Sequence, residues 1–384
     1  MSDSLKTLNA VADAHTSGKL PRRDFLKYLG LAGVAAGLVG GPFTLIRQAM
    51  AAKGIRFDGW GGTTSEAFRK YAFEPFTKAT GIKVIEGEFG DMDSYLTRVK
   101  ASFPPGGEFN VAHLSGVFDY ARYKSLGFDS ALNTENIPNL KNVMEGMITP
   151  LRKITGGALS AVPYDLGQTG IAYNTKYVSK DKAEKLGAGL LFDESLKGKL
   201  GSWTDWRTNI WYAALYTDQS PNDIKDLKAV WKVLRDQRNL MKKYWGSGAE
   251  LMNLLANDEI YATVAWSGRV AALQEQGHPI GYLAPHNTYS WQECIYVIKG
   301  SDLAVAEKLL NFMLEPDAAI AVALGQKYPP SLDPTKIKMP EGVTKLPAFD
   351  PTGRLDGYLF GDPDYWNGHQ LEWAEQWDRV MAGA

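Results

Sequence analysis

One cysteine in 384 residues, Cys294, excludes an intrachain disulfide, so the core alone must hold the fold. Cys294 reads as a small buried apolar residue. Histidine is scarce too: His15, His113, His278, His286 and His369 are scattered, with no metal-ligand spacing. Charge of one sign is missing, with 42 Lys and Arg against 43 Asp and Glu, which excludes the basic excess of a nucleic-acid binder. The glycine-rich run Gly59 to Gly62 lacks the Gly-Lys-Ser/Thr of a phosphate loop. No Gly-x-Ser-x-Gly elbow and no His-Glu-x-x-His pair occurs either. Beyond residue 51, no apolar run reaches transmembrane length.

Aromatic residues are what the chain has in plenty. It carries 11 tryptophans, all beyond residue 59. At the N-terminus, Pro21-Arg22-Arg23-Asp24-Phe25-Leu26-Lys27 is similar to a twin-arginine export signal. A Gly- and Ala-rich apolar stretch follows from Tyr28 to Ile46, and Ala49-Met50-Ala51 has the small-x-small form of a cleavage site. Residues 1–51 are therefore expected to be a removed signal peptide. Its loss takes away six basic and three acidic residues and moves the net charge from -1 to -4. Pro21 stands where that signal usually has Ser or Thr.

Short apolar runs then alternate with amphipathic segments, the pattern of an α/β protein. Ile55 to Asp58 reads as a strand leading to a glycine-rich turn. Phe68, Tyr71, Ala72 and Phe76 share a helix face that Pro75 should interrupt. Gly81 ends that helix, and Ile82 to Ile85 reads as the next strand. Val111 to Leu114 is a strand, with a helix from about Phe118 to Leu126. Ala158 to Val162 and Gly170 to Tyr173 read as two extended segments flanking Pro163-Tyr164-Asp165-Leu166-Gly167. Ile260 to Ala265 and Ile295 to Ile298 are buried strands. Asp302 caps a helix whose Leu303, Ala306, Leu310 and Met313 lie on one face, and Pro316 is expected to end it. Ligands of open α/β sheets bind beyond the carboxyl ends of strands. That rule points to Trp60, Ser115, Trp203 to Trp206, Trp266 and Trp291.

These residues carry a family resemblance. Gly54 to Val84, Leu114-Ser115, Val162-Pro163-Tyr164 and Ala172 to Tyr177 resemble extracellular solute-binding proteins of ABC importers. Glu259 through Pro330 is most similar to the spermidine/putrescine-binding branch. The resemblance implies an α/β, two-lobed periplasmic binding protein fold, with crossing hinge strands and the ligand in the inter-lobe cleft. Lobe one would span 53–166 plus 289–333, and lobe two 167–288 plus 334–384. It further implies ligand contacts from Ser115, Asp205, Trp266, Trp291, Glu293 and Tyr328, to which Trp60 and Thr63 at the exit of the first strand are added as candidates. Aromatic rings would sandwich methylenes while carboxylates hold ammonium ends. Trp291 and Glu293 stand two apart, so on a strand they share a face.

Thr208 stands where the family has a second carboxylate, and Val117 where it has an aromatic. Arg207 and Arg269 flank the proposed cleft and add positive charge. The expected ligand is therefore a small organic amine: a polyamine such as putrescine or spermidine, or an ammonium–carboxylate relative. Expected partners are an ABC permease with its ATPase and the twin-arginine export machinery, with no nucleic acid, metal or cofactor. The expected location is the periplasm. The alternative is a secreted α/β hydrolase using Asp205 and Glu293 as paired carboxylates.

Overall fold

The computed structural model describes residues 54–88, 92–102 and 109–383, without the side chains of Met92, Asp93 and Phe118. The export signal read at residues 1–51 lies outside the described residues. Among those described, no helix is long and apolar enough to cross a membrane.

The chain opens with β1 (Ile55–Gly59), whose Phe57 packs its ring 5.4 and 4.8 Å from Phe68 and Phe73. Helix α1 (Gly62–Phe68) passes through a π-turn (Arg69–Phe73) into α2 (Glu74–Thr80). Pro75 lacks an N–H and crowds the carbonyl four residues back, and the widened turn accommodates it. Gly81 closes α2 in the left-handed region at φ 74. Then follow β2 (Val84–Glu88), α3 (Met92–Ser102), β3 (Val111–Ser115) and α4 (Gly116–Ser125).

Strand β4 (Ala161–Asn174) is continuous and buried along its whole length, where two separate segments were expected. Pro163 falls at a register shift between Pro163 and Asp165, where a missing N–H costs no ladder bond. Next come β5 (Leu200–Trp203), α5 (Trp206–Tyr216), β6 (Met241–Trp245), α6 (Gly248–Ala256), β7 (Ala262–Trp266) and α7 (Ser267–Glu275). After β8 (Ile280–Leu283) and β9 (Tyr289–Val297) lies α8 (Leu303–Met313), N-capped by Asp302 as expected. Pro316 begins a new helix, α9 (Pro316–Gln326), because its fixed φ suits the first helical turn. The last elements are β10 (Leu359–Phe360), α10 (Pro363–Gly368) and α11 (Gln370–Ala382).

The strands form one sheet in the order β2-β1-β3-β9-β4-β7-β5-β6, with β10 on β9 and β8 on β4. β1 is parallel to β2 and β3 at one side, and β5 is parallel to β6 and β7 at the other. Between them, β9 and β4 run antiparallel to each other, to β3 and to β7. Two cores result. One joins residues of β1, β3, the start of β4, the end of β9 and α8. The other joins the end of β4, β5, β7, α5 and the C-terminal Trp366, Trp373 and Trp377. Trp366 stacks on Trp211 at 5.7 Å, and all three C-terminal tryptophans are buried in this core as packing residues. Met339 and Val343 instead pack on Ala319 and Ala323 of α9, and Leu355 on Met144, Met147 and Leu166.

Candidate functional site

The carboxyl ends of β1, β3, β5 and β7 carry Trp60, Ser115, Trp203 and Trp266 where the sheet crosses from one core to the other. β9 threads that region in register, with Glu293 opposite both Ser115 and Asp165, and Trp291 opposite Gly167. Alternation along the strand puts Trp291 and Glu293 on one side.

Glu293 is the chemical centre. Its Oε2 accepts a hydrogen bond from the Trp60 indole at 2.5 Å and lies 3.2 Å from Nε2 of His113. The same His113 nitrogen is 3.3 Å from Oδ2 of Asp165, which accepts from the Gln326 amide at 2.7 Å. His113 and Asp165 have side chains only 2% and 1% exposed, whereas Glu293 keeps 13% of its surface. The donor atoms of the three lie within 4.8 Å of one another, close enough to hold a cation.

Burial drives the Glu293 carboxyl up to about 8. His113 pulls it down, Asp165 pushes it further up, and the Trp60 hydrogen bond favours the anion. For His113, burial is the largest single influence and disfavours the cation, but Glu293 and Asp165 together outweigh it and the pKa rises. Sequence reading missed His113 and Asp165. The available signal was a histidine inside the apolar run Val111 to Leu114 and an aspartate inside Val162 to Leu166.

Of the other expected residues, Ser115 and Trp291 lie beside Glu293 along the β3–β9–β4 ladder, and Tyr328 packs on Trp291. The Trp291 indole donates to Thr169 Oγ1 at 3.2 Å and meets Tyr328 edge-on at 5.1 Å. A Cβ on Gly167 would come within 2.3 Å of the Trp291 ring, so only glycine lets that indole lie flat on β4. Tyr328 is 7% exposed, and its hydroxyl is pushed up to about 12, first by burial, against the pull of Arg269. Thr63 accepts from Arg269 Nη1 at 3.0 Å, which ties α1 to α7 across the two cores. Trp266 packs edge-on against Trp203 and Trp245 at 5.0 and 5.2 Å on the second core, and pairs with Thr169 of β4. Ser115 lines a crevice with Gly116, Tyr289 and Trp291.

Asp205 stands at a helix start. It caps α5, accepting from Thr208 N at 2.8 Å and Thr208 Oγ1 at 2.9 Å, with Arg207 at 3.7 Å. Its hydrogen-bond and ion-pair partners are thus Thr208 and Arg207.

A family model described as bacterial extracellular solute-binding protein matches residues 71–350. The chain belongs to that family, a class of binding proteins rather than enzymes, and has the two-lobed α/β fold of periplasmic substrate-binding proteins. Over 373 residues it is 24% identical to the putrescine-binding periplasmic protein SpuD of Pseudomonas aeruginosa, covering 92% of this chain and 97% of that protein. It is also 24% identical to a gamma-aminobutyric acid-binding protein of P. aeruginosa, over 82% and 87% of the two chains. Among solved structures, the spermidine/putrescine ABC transporter substrate-binding protein PotD from Streptococcus pneumoniae superposes with TM-score 0.69 at 19% identity, covering 85% and 98% of the two chains. These comparisons give the hydrolase alternative no support.

Proposed function

We propose that the protein captures a small organic amine in the cleft between its lobes and hands it, unchanged, to an ABC permease with its ATPase. The observation that carries this reading is Glu293: a carboxylate at the floor of the site, partly open, flanked by Trp60, Trp291 and Tyr328. Methylenes stack well on indole faces, and an ammonium needs the counter-charge that Glu293 supplies. Relatives named for putrescine and for gamma-aminobutyric acid support the same class of ligand. Ser115 and Thr63 line the site on one lobe, Trp266 on the other, and Asp205 with Arg207 bounds its far end. We place the lobe crossings where Gly167 pairs with Trp291 and Gln168 with Ser290. Lobe one would be 53–166 plus 289–333 and lobe two 167–288 plus the tail, of which the stretch around Met339 to Leu355 packs on lobe one. We further propose export to the periplasm through the twin-arginine pathway and removal of residues 1–51.

A thermal-shift screen of the exported protein tests the ligand class. Amines should raise Tm, because ligand at one hundred times its Kd stabilises by about 2.7 kcal/mol. Shifts produced by neutral sugars alone would reject the amine. The recovered ligand should be chemically intact.

A further inference from the structure

The three-group cluster at the floor of the cleft contains two residues that the amine-binding reading does not use. His113 sits on β3 and Asp165 on β4, both sealed from solvent, and both lie against the same ligand-facing carboxylate. We propose that His113 and Asp165 set the charge of Glu293 so that the cleft accepts a single ammonium group, which enters by displacing a proton from the Glu293 carboxyl. This inference rests on the amine reading and narrows it.

The charge arithmetic follows from the geometry. An imidazolium between two carboxylates leaves such a cluster with one net negative charge, which one ammonium neutralises. Among the described residues, the other charged groups around Glu293 offer no second counter-charge. From α4, Asp119 faces it but is paired with Arg122 at 3.5 Å. From α7, Arg269 approaches the Tyr328 beside it and brings positive charge. At the far end, Asp205 caps α5 beside Arg207. A second ammonium would meet the two arginines without a free carboxylate, whereas an acid group would suit them.

The proton exchange follows from burial. With no cation beside it, Glu293 is held in its neutral form near neutral pH, first by desolvation. An ammonium arriving next to it favours the anion. The balanced step is R–NH3+ plus the Glu293 carboxylic acid giving the R–NH3+···carboxylate pair plus one proton released to solvent. The His113 nitrogen at 3.2 Å keeps the resulting anion tolerable in a buried site. A metal ion is the competing occupant of such a donor set. Both facing oxygens, however, already accept N–H donors from Trp60 and Gln326.

Isothermal titration calorimetry of the intact protein, at pH 7 in phosphate and in Tris, counts the protons exchanged. The probes are 4-aminobutyrate, putrescine and spermidine, with zinc and manganese chloride alongside. The expected result is release of roughly one proton per 4-aminobutyrate, with affinity about tenfold weaker at pH 6 than at pH 7. Putrescine should bind at least tenfold more weakly than 4-aminobutyrate. His113→Gln, which removes the charge that lowers the Glu293 pKa, should move the pH at which binding weakens upward. Amine binding with no proton released would overturn this inference and leave the amine reading intact. Tighter binding of putrescine or spermidine would overturn the single-ammonium limit. Heat with the metal salts and none with any amine would overturn both.

Discussion

Trp60 and Glu293, 233 positions apart in the chain, are joined by one hydrogen bond from the indole nitrogen to the carboxylate. The indole is 41% exposed and the carboxylate is nearly enclosed, so the contact links the open rim of the cleft to its floor. A cation approaching Glu293 therefore meets a π face beside the carboxyl group whose ionisation it favours.

Trp60→Phe keeps a ring at the rim and removes the donor. Hydrogen bonds to charged groups contribute about 1.5–3 kcal/mol, so amine affinity should fall at least tenfold, as read by calorimetry. An unchanged Kd would show that the indole nitrogen does not support the bound state.

Glu293→Gln removes the counter-charge at nearly constant shape. Losing one member of a buried charge pair costs about 2–5 kcal/mol, so affinity should drop well beyond tenfold. Circular dichroism melting of the free variant should show a Tm no lower than the parent's at pH 8. A collapse of Tm instead would make the glutamate a structural residue.

The stability of the ligand-free protein should decline as pH rises. Glu293 has a folded pKa raised from 4.5 to about 8, so the unfolded chain gives up its proton first and stability falls across that window. His113, also raised, adds stability that is complete below 6.5 and lost as pH climbs through its folded value. Both slopes have the same sign. Glu293→Gln should flatten the Tm–pH curve between pH 5 and 8, and a parent curve that rises through this range would refute the assignment.

Gly167→Ala tests the strand crossing. The added methyl would overlap the Trp291 ring at 2.3 Å, and overpacking of this kind costs roughly 1–3 kcal/mol. Both urea midpoint and amine affinity should fall, since the displaced indole lies in the site. A neutral substitution would mean that the ring can leave β4 freely.

Replacing Arg22 and Arg23 together by Lys should leave precursor in the cytoplasm, followed by immunoblotting of cell fractions. The parent should appear in the periplasm with its N-terminus near Ala52. Export of the double variant at the parental rate would exclude the twin-arginine route.

Local patterning made β1, β3 and α8 legible, because apolar periodicity and a cap such as Asp302 act over a few residues. Strand β4 was misread for an equally local reason. Pro163 and Gly167 are usual strand breakers, and only their partners on β9, Cys294 and Trp291, explain why they belong inside a strand. The helix expected to end at Pro316 does stop ahead of it, and Pro316, also a good first residue of a helix, opens α9. Trp60, Trp291 and Glu293 could be picked out from strand ends and resemblance. His113 and Asp165 could not, since nothing in their own neighbourhoods says that β3, β4 and β9 are neighbours. Asp205 was read as a ligand carboxylate while also fitting a helix cap, and it is in the cap that its hydrogen bonds lie.

The pairing of β4 with β9 from Ala161 to Thr169 also has a mechanical meaning. A flexible tether between two bodies stores conformational entropy that ligand capture must remove, whereas a hydrogen-bonded ribbon holds almost none. Movement between the lobes must bend or twist this ribbon, so it behaves as a leaf spring of limited travel. The carboxylate at Glu293 rides on that spring. Any flexing that brings the outer walls together therefore also shifts Glu293, so the hinge and this carboxyl move as one mechanical part.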